Sequence, residues 1–203
     1  ANSETLPVER LVTEVRVAQF DGSEVRSAIK LPRGSFSGWI SDDAILVAGR
    51  DSLQAREEVL YAVSLSDGQQ IELARNERLR GASLSTDGSW LVYYLTMQDD
   101  PAANGLWLVR TDGSERRQLS RELFGSYRWR DGRRLLIVPF QLGADSHELI
   151  EVDAITGTTR PLTDPAALKF KITNNDWAVS PNGQYVACVT AADHNIWLLT
   201  LVD

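Results

Sequence analysis

Short apolar runs separated by Asp-Gly turns dominate this chain. Residues 90–97 (WLVYYLTM) and 106–111 (LWLVRT) are rich in the aromatic and β-branched side chains that suit a pleated, half-buried surface. Asp87-Gly88 precedes the first run and Asp112-Gly113 follows the second. Asp-Gly between apolar segments favours a tight hairpin, because both residues tolerate positive φ. Residues 80–85 and 116–119 complete a unit of four strands. No segment sustains an i, i+3, i+4 apolar pattern; residues 50–58 and 165–168 have room for a single helical turn each.

The pattern repeats. Turn glycines fall at Gly22, Gly68, Gly113 and Gly157, with gaps of 46, 45 and 44 residues. A second series interleaves at Gly88, Gly132 and Gly183, with gaps of 44 and 51, and Asp43-Ala44 is its degenerate first member. A period in the mid-forties with two turn signals per period marks a stacked β repeat. The expected fold is all-β, a propeller of four-stranded antiparallel blades, with a flat sandwich as the alternative. About four to five blades are expected within a single domain or fragment spanning 1–203. Their bounds are 11–33 (partial), 36–74, 80–120, 124–164 and 176–203 (partial). The terminal units supply two and three strands, one too many for a closing blade of four. The chain therefore reads as part of a larger propeller, associated with a segment upstream of Ala1.

Composition narrows the function. Lys and Arg number 21 against 28 Asp and Glu, a net charge of −7, which argues against a nucleic-acid or anionic-membrane surface. Cys188 is the single cysteine, so an internal disulfide and a multi-cysteine metal site are excluded. No apolar run approaches the ~18 residues of a membrane span, and no signal segment opens the chain. No cofactor and no metal are expected.

Residues 85–93 (STDGSWLVY), 105–119 (GLWLVRTDGSERRQL), 179–187 (VSPNGQYVA) and 195–199 (NIWLL) resemble the repeat of TolB-like β-propellers, a WD40-like family. That repeat runs Ser-Pro-Asp-Gly turn, strand, Leu-Trp strand ending in Asp-Gly, then Arg-Gln-Leu-Thr. The resemblance covers almost the whole chain and departs from the pattern at Asp42-Asp43-Ala44 and Arg130-Asp131-Gly132. It implies an extracytoplasmic setting, periplasmic or at the cell surface. The family spans assembly proteins, accessory domains of peptidases and some lyases, so it implies little about activity.

In a propeller the tight turns share one face, and the longer second-to-third and between-blade loops share the other. The long-loop face is the expected binding surface. Asp51, Asp99, Asp100, Asp145 and Asp193 recur there and suit either a hard cation or solvated turns; no Asp-x-Asp-x-Asp-Gly loop favours the cation. Arg75, Arg78, Arg80, Arg121, Lys169 and Lys171 suit carboxylate docking or pairing with those acids. Trp39, Tyr127, Trp129 and Trp177 fall on first strands, where they either stack on a ligand in the channel or fill the wedge between blades. His147 and His194 are the only histidines, and no Gly-x-Ser-x-Gly elbow accompanies them, which disfavours a hydrolase. The expected binding residues are Arg78, Arg80, Asp99, Asp100, Tyr127, Trp129, Asp145, Asp176 and Trp177, with no catalytic residue among them. The function expected is a non-enzymatic scaffold for a protein or peptide partner. The alternatives are an accessory propeller of a larger enzyme such as a peptidase, and a small-ligand or glycan sensor.

Overall fold

The computed structural model describes residues 11–122, 124–141 and 143–201. The ends of the expected domain, 1–10 and 202–203, and positions 123 and 142 in two expected loops, lie outside the described residues.

Among the described residues, seventeen strands form five antiparallel sheets, each in simple chain order. The first sheet pairs β1 (Val12–Val17) with β2 (Arg26–Pro32). The second holds β3 (Ser35–Ser41), β4 (Ala44–Gly49), β5 (Glu58–Ser64) and β6 (Gln70–Asn76). The third holds β7 (Leu79–Leu84), β8 (Trp90–Leu95), β9 (Gly105–Arg110) and β10 (Arg116–Ser120). The fourth holds β11 (Gly125–Trp129), β12 (Arg134–Pro139), β13 (Ile150–Asp153) and β14 (Thr159–Pro161). The last holds β15 (Ile172–Val179), β16 (Tyr185–Thr190) and β17 (Ile196–Thr200).

The strand period of two explains how these sheets stack. On β4, Ile45 and Val47 face the first sheet, while Leu46 and Ala48 face the third. On β8, Leu91, Tyr93 and Leu95 pack back onto β4 and β5, whereas Trp90, Val92 and Tyr94 pack forward onto β11 and β12. Leu135 and Ile137 of β12 close that layer, and Leu136 and Val138 open the next against Trp177, Val186 and Cys188. β4, β8 and β12 are thus buried on both faces, so each reads as an apolar run rather than an alternating one. At about 1.5–3 kcal/mol per fully buried large aliphatic or aromatic side chain, these four layers hold the molecule together.

First strands lie beside first strands, β3 with β7 and β11 with β15, which is the arrangement of blades around an axis. Two of the sheets are incomplete: among the described residues the first has two strands and the last three. The ring is open. Among the described residues, no helix is long and apolar enough to cross a membrane.

Candidate functional site

Three first strands, β7, β11 and β15, bring their long-loop ends to one rim. A cavity of about 530 Å³ opens there, lined by Arg80, Gly81, Tyr94, Phe124, Tyr127, Arg128 and Phe140 among others. A second, of about 330 Å³, continues it and is lined by Val138, His147, Lys171, Ile172 and Trp177. Ser126, Phe140 and Asn175 belong to both, so the two form one groove.

The groove has an aromatic floor. Phe124 stacks edge-on to Tyr94 at 5.0 Å, Tyr94 meets Tyr127 at 5.3 Å, and Phe124 meets Phe140 at 5.5 Å. Phe124 and Phe140 remain 51% and 64% exposed, which is unusual for two large rings in contact. The buried rings are locked by their polar ends. Tyr127 donates its hydroxyl to the Gly81 carbonyl, and Trp129 Nε1 donates to the Ser83 carbonyl at 3.1 Å. Trp177 Nε1 donates to Ser126 Oγ at 2.7 Å and Asn175 Oδ1 at 3.1 Å. Gly81 must be glycine here: its φ is +65°, and a Cβ would sit 2.7 Å from the Tyr127 hydroxyl. Burial pushes the Tyr94 phenol up to about 12 and the Tyr127 phenol higher still, so both stay neutral; Tyr127 donates, whereas Tyr94 accepts from the Gly125 amide at 3.0 Å.

The walls are cationic. Arg80 donates to the Leu79 carbonyl at 2.7 Å, Arg128 to the Tyr127 carbonyl at 2.8 Å, and Lys171 to the Ala144 carbonyl at 2.7 Å. The Arg128 guanidinium also lies 5.2 Å from the Trp177 ring centre. Among the described residues, none of the three has a carboxylate within ion-pairing distance. His147 Nδ1 accepts from the Ile172 amide at 3.1 Å, and burial with the nearby Lys171 charge keeps the imidazole below its ordinary pKa. The ring is therefore neutral at pH 7 and carries its proton on Nε2.

The expected binding residues are only partly assembled here. Arg80 and Tyr127 line the larger cavity and Trp177 the smaller. Arg78 and Asp99 line a separate cavity of about 220 Å³ with Asn76, Met97 and Gln98. Asp100 caps a 3-10 turn at Pro101–Ala103, accepting from the Ala102 amide at 2.9 Å. Asp145 and Asp176 are exposed and line none of these cavities. Trp129, Tyr127 and Trp177 are buried between blades, so they offer structural support and not open stacking faces; Trp39 stays 56% exposed beside Phe36. The acidic loops do not converge on a cation. Asp51 is held by Tyr61 and Arg75, and Asp193 by Thr190 and the Asn195 amide. Phe124, Ser126, Arg128, Phe140, His147 and Asn175 were not among the expected residues. Their one sequence signal is Phe140, an aromatic just past the buried run of β12.

The tight-turn face holds more than its short turns suggest. A cavity of about 730 Å³ lies between the third and fourth sheets, lined by Asp87, Trp90, Arg110, Asp131, Arg133 and Asp153 among others. Its charges answer one another. Arg133 pairs with Asp153 at 2.6 Å, Arg134 with Asp131 at 2.6 Å, and Arg110 stacks on Trp90 at 4.3 Å. Partial burial would raise the Asp153 pKa, but Arg133 and the Thr156 and Ile155 amides outweigh it and lower it to about 2. A self-neutralised surface of this kind has little charge left for a ligand.

No family model matches the chain, and no curated protein matches it in sequence. Solved structures do match in shape. TolB from Acinetobacter baumannii superposes with a TM-score of 0.57 at 17% identity, over 94% of this chain and 49% of that one. An oligogalacturonate lyase in complex with manganese gives 0.57 at 14%, over 94% of this chain and 72% of that one. The β-propeller domain of the trilobed protease from Pyrococcus furiosus gives 0.61 at 12%, over 94% and 60%. The chain spans about half the length of TolB. Stacked four-stranded blades, adjacent first strands and these likenesses together identify a TolB-like β-propeller fold, left open at its two incomplete sheets.

Proposed function

We propose that this chain is a non-enzymatic propeller that captures a protein or peptide partner on its long-loop face, in an extracytoplasmic compartment. One contrast carries the reading. The tight-turn face pairs its own charges, whereas the long-loop groove sets Arg80, Arg128 and Lys171, without carboxylate partners, beside exposed Phe124 and Phe140. Exposed aromatics with unpaired arginines are the composition of binding hot spots. The rigid support under them reduces the ordering cost of association.

The test is a pull-down from the source organism with wild type, Arg80→Ala/Phe140→Ser and, as a turn-face control, Arg110→Ala. The partner recovered by wild type should be lost by the first variant and kept by the control, with unchanged far-UV circular dichroism. Recovery of the same partner by the first variant would place binding elsewhere.

A second reading, an accessory propeller of a larger enzyme, is favoured by the likeness to the protease propeller domain and by the open sheets. The complete open reading frame distinguishes the two, since a catalytic domain in the same polypeptide supports only the second.

A further inference from the structure

We infer that the groove between β7, β11 and β15 recognises a linear peptide in which an acidic residue stands close to a large apolar one. This rests on the partner-binding reading and goes further, because it names the ligand chemistry and divides the groove into two subsites.

The charged subsite is the cavity of about 530 Å³. Arg80 and Arg128 both line it, and each spends one guanidinium nitrogen on a backbone carbonyl, at 2.7 and 2.8 Å. A guanidinium has five N–H donors in a planar fork, so most of each remains for a carboxylate. Among the described residues the lining includes no carboxylate, although the whole chain carries a net −7. A cationic rim on an acidic molecule sorts its ligands by charge.

The apolar subsite is the cavity of about 330 Å³. Phe140, Val138, Ile172 and the Trp177 ring supply its apolar walls, and its volume suits one aromatic or branched side chain. Its polar groups are donors at the edge: Lys171 Nζ, the Asn175 amide and the Nε2–H of neutral His147. These suit the backbone carbonyls of an extended segment rather than a second side-chain acid. Ser126, Phe140 and Asn175 border both cavities, so the two side chains belong to positions about one to three residues apart at ~3.3 Å per residue. Asn175 fixes that shared wall: it holds φ at +61° while its side chain bonds Trp177 and Ser126. A free anion would meet the paired guanidinium forks only in the first cavity, and an uncharged apolar ligand would find its walls in the second.

The experiment is selection from a random heptapeptide display library on the intact chain, followed by fluorescence anisotropy with blocked synthetic heptapeptides. The selected sequences should pair Asp or Glu with Phe, Trp, Leu or Ile within three positions. Replacing the acid by its amide should weaken binding about ten-fold or more on wild type and less than about two-fold on Arg80→Gln/Arg128→Gln. Replacing the apolar residue by alanine should do the same on wild type and have little effect on Phe140→Ser. Arg80→Gln alone serves where the double variant melts early, because Arg80 is exposed and bonds only a carbonyl. Selected peptides without the acid–apolar pair, or an acid preference that survives in the arginine variants, overturn this inference and leave partner capture standing. No selected peptide, with the protein partner still recovered, overturns it equally. Loss of both overturns the reading beneath it as well.

Discussion

The two glycine series in this chain have different physical jobs. In the first series, Gly22, Gly68 and Gly157 have φ between +73° and +80° and open space where a Cβ would be, so they serve only the turn; Gly113 is the exception, since a Cβ there would lie 2.9 Å from the Ile71 side chain. The second series serves packing between blades. A Cβ on Gly88 would lie 1.9 Å from the Ile40 carbonyl oxygen, on Gly132 2.5 Å from Asp87 Oδ2, and on Gly183 2.7 Å from the Arg130 carbonyl oxygen. Each of these turns rests on the corresponding turn of the preceding blade. Ala44 is tolerated as the degenerate member because the Asp42-Asp43 turn uses no positive φ and the first sheet has no such turn to rest on among the described residues. Arg130 is the other departure from the repeat, and it too works at this contact. Its Nε donates to the Gly183 carbonyl at 2.9 Å, and its guanidinium pairs with buried Glu151 at 2.6 Å, which Arg160 also reaches at 2.8 Å. Removing one partner of such a buried pair costs about 3–5 kcal/mol, even where the intact pair adds little net stability. For the glycines, Gly68→Ala should cost about 1 kcal/mol, the strain of a left-handed residue. Gly88→Ala should cost at least about 3 kcal/mol, because backbone must also move. Urea denaturation of the two variants measures this, and equal losses would show that the close approach carries no energy.

At the scale of the strand, legibility in the sequence followed burial. The four-stranded middle of the chain is readable because two-sided packing forces apolar runs such as 90–95 and 135–138, and Asp-Gly turns mark their ends. The strand β15 was half-hidden. Its front half, from Ile172 to Asp176, is mostly polar, and its pairing with β16 breaks register between Ile172 and Trp177. The groove was harder to read for a similar reason. Residue types showed that arginines and aromatics lie near the long loops, but partner geometry alone decides which are spent. Arg75 is held by Asp51 and Glu72, whereas Arg80 has no carboxylate. The rings of Tyr127 and Trp177 point into the blade contacts, and only the ends of the run, Phe124 and Phe140, stay open. The two terminal sheets differ in the same terms. The first carries Glu14, Arg16 and Lys30 as an ion-paired, water-compatible face. The last turns Trp197 and Leu199 inward but leaves Ile196 and Leu198 at 74% and 71% exposure, with Tyr185 on the neighbouring strand. An open apolar sheet face invites association. Sedimentation velocity on residues 1–203 should show concentration-dependent self-association that Leu198→Lys reduces and Lys30→Ala does not. A monomer at all concentrations would rule this face out as the sticky one.

At the scale of the whole molecule, the open ring fixes how stability is distributed. Each sheet shares an apolar layer only with its neighbours, and the four layers run in chain order. Such a stack behaves approximately as a sum of unit stabilities and nearest-neighbour terms. A closed ring would give every blade two interfaces; among the described residues the second, third and fourth sheets have two, whereas the first and last have one each. The first sheet is weaker again, since it is a hairpin of two strands, marginal on its own and held by Ile29, Leu31, Val15 and Val17 against β4 and β5. The groove lies among the third, fourth and last sheets, so its floor belongs to the best-supported part of the stack, and only its Lys171–Trp177 wall belongs to an end unit. Native-state hydrogen exchange should therefore be graded. Amides of β1 and β2 should exchange first, in an opening that leaves β7 to β13 protected. Those of β15 to β17 should come next, and those of β8, β9 and β12 last, close to the global unfolding free energy. A bound acidic–apolar peptide should slow exchange in β15 more than in β1, because it bridges the end wall to the centre. Uniform protection across all five sheets would mean that the molecule unfolds as one cooperative unit and that its open edges carry no energetic penalty.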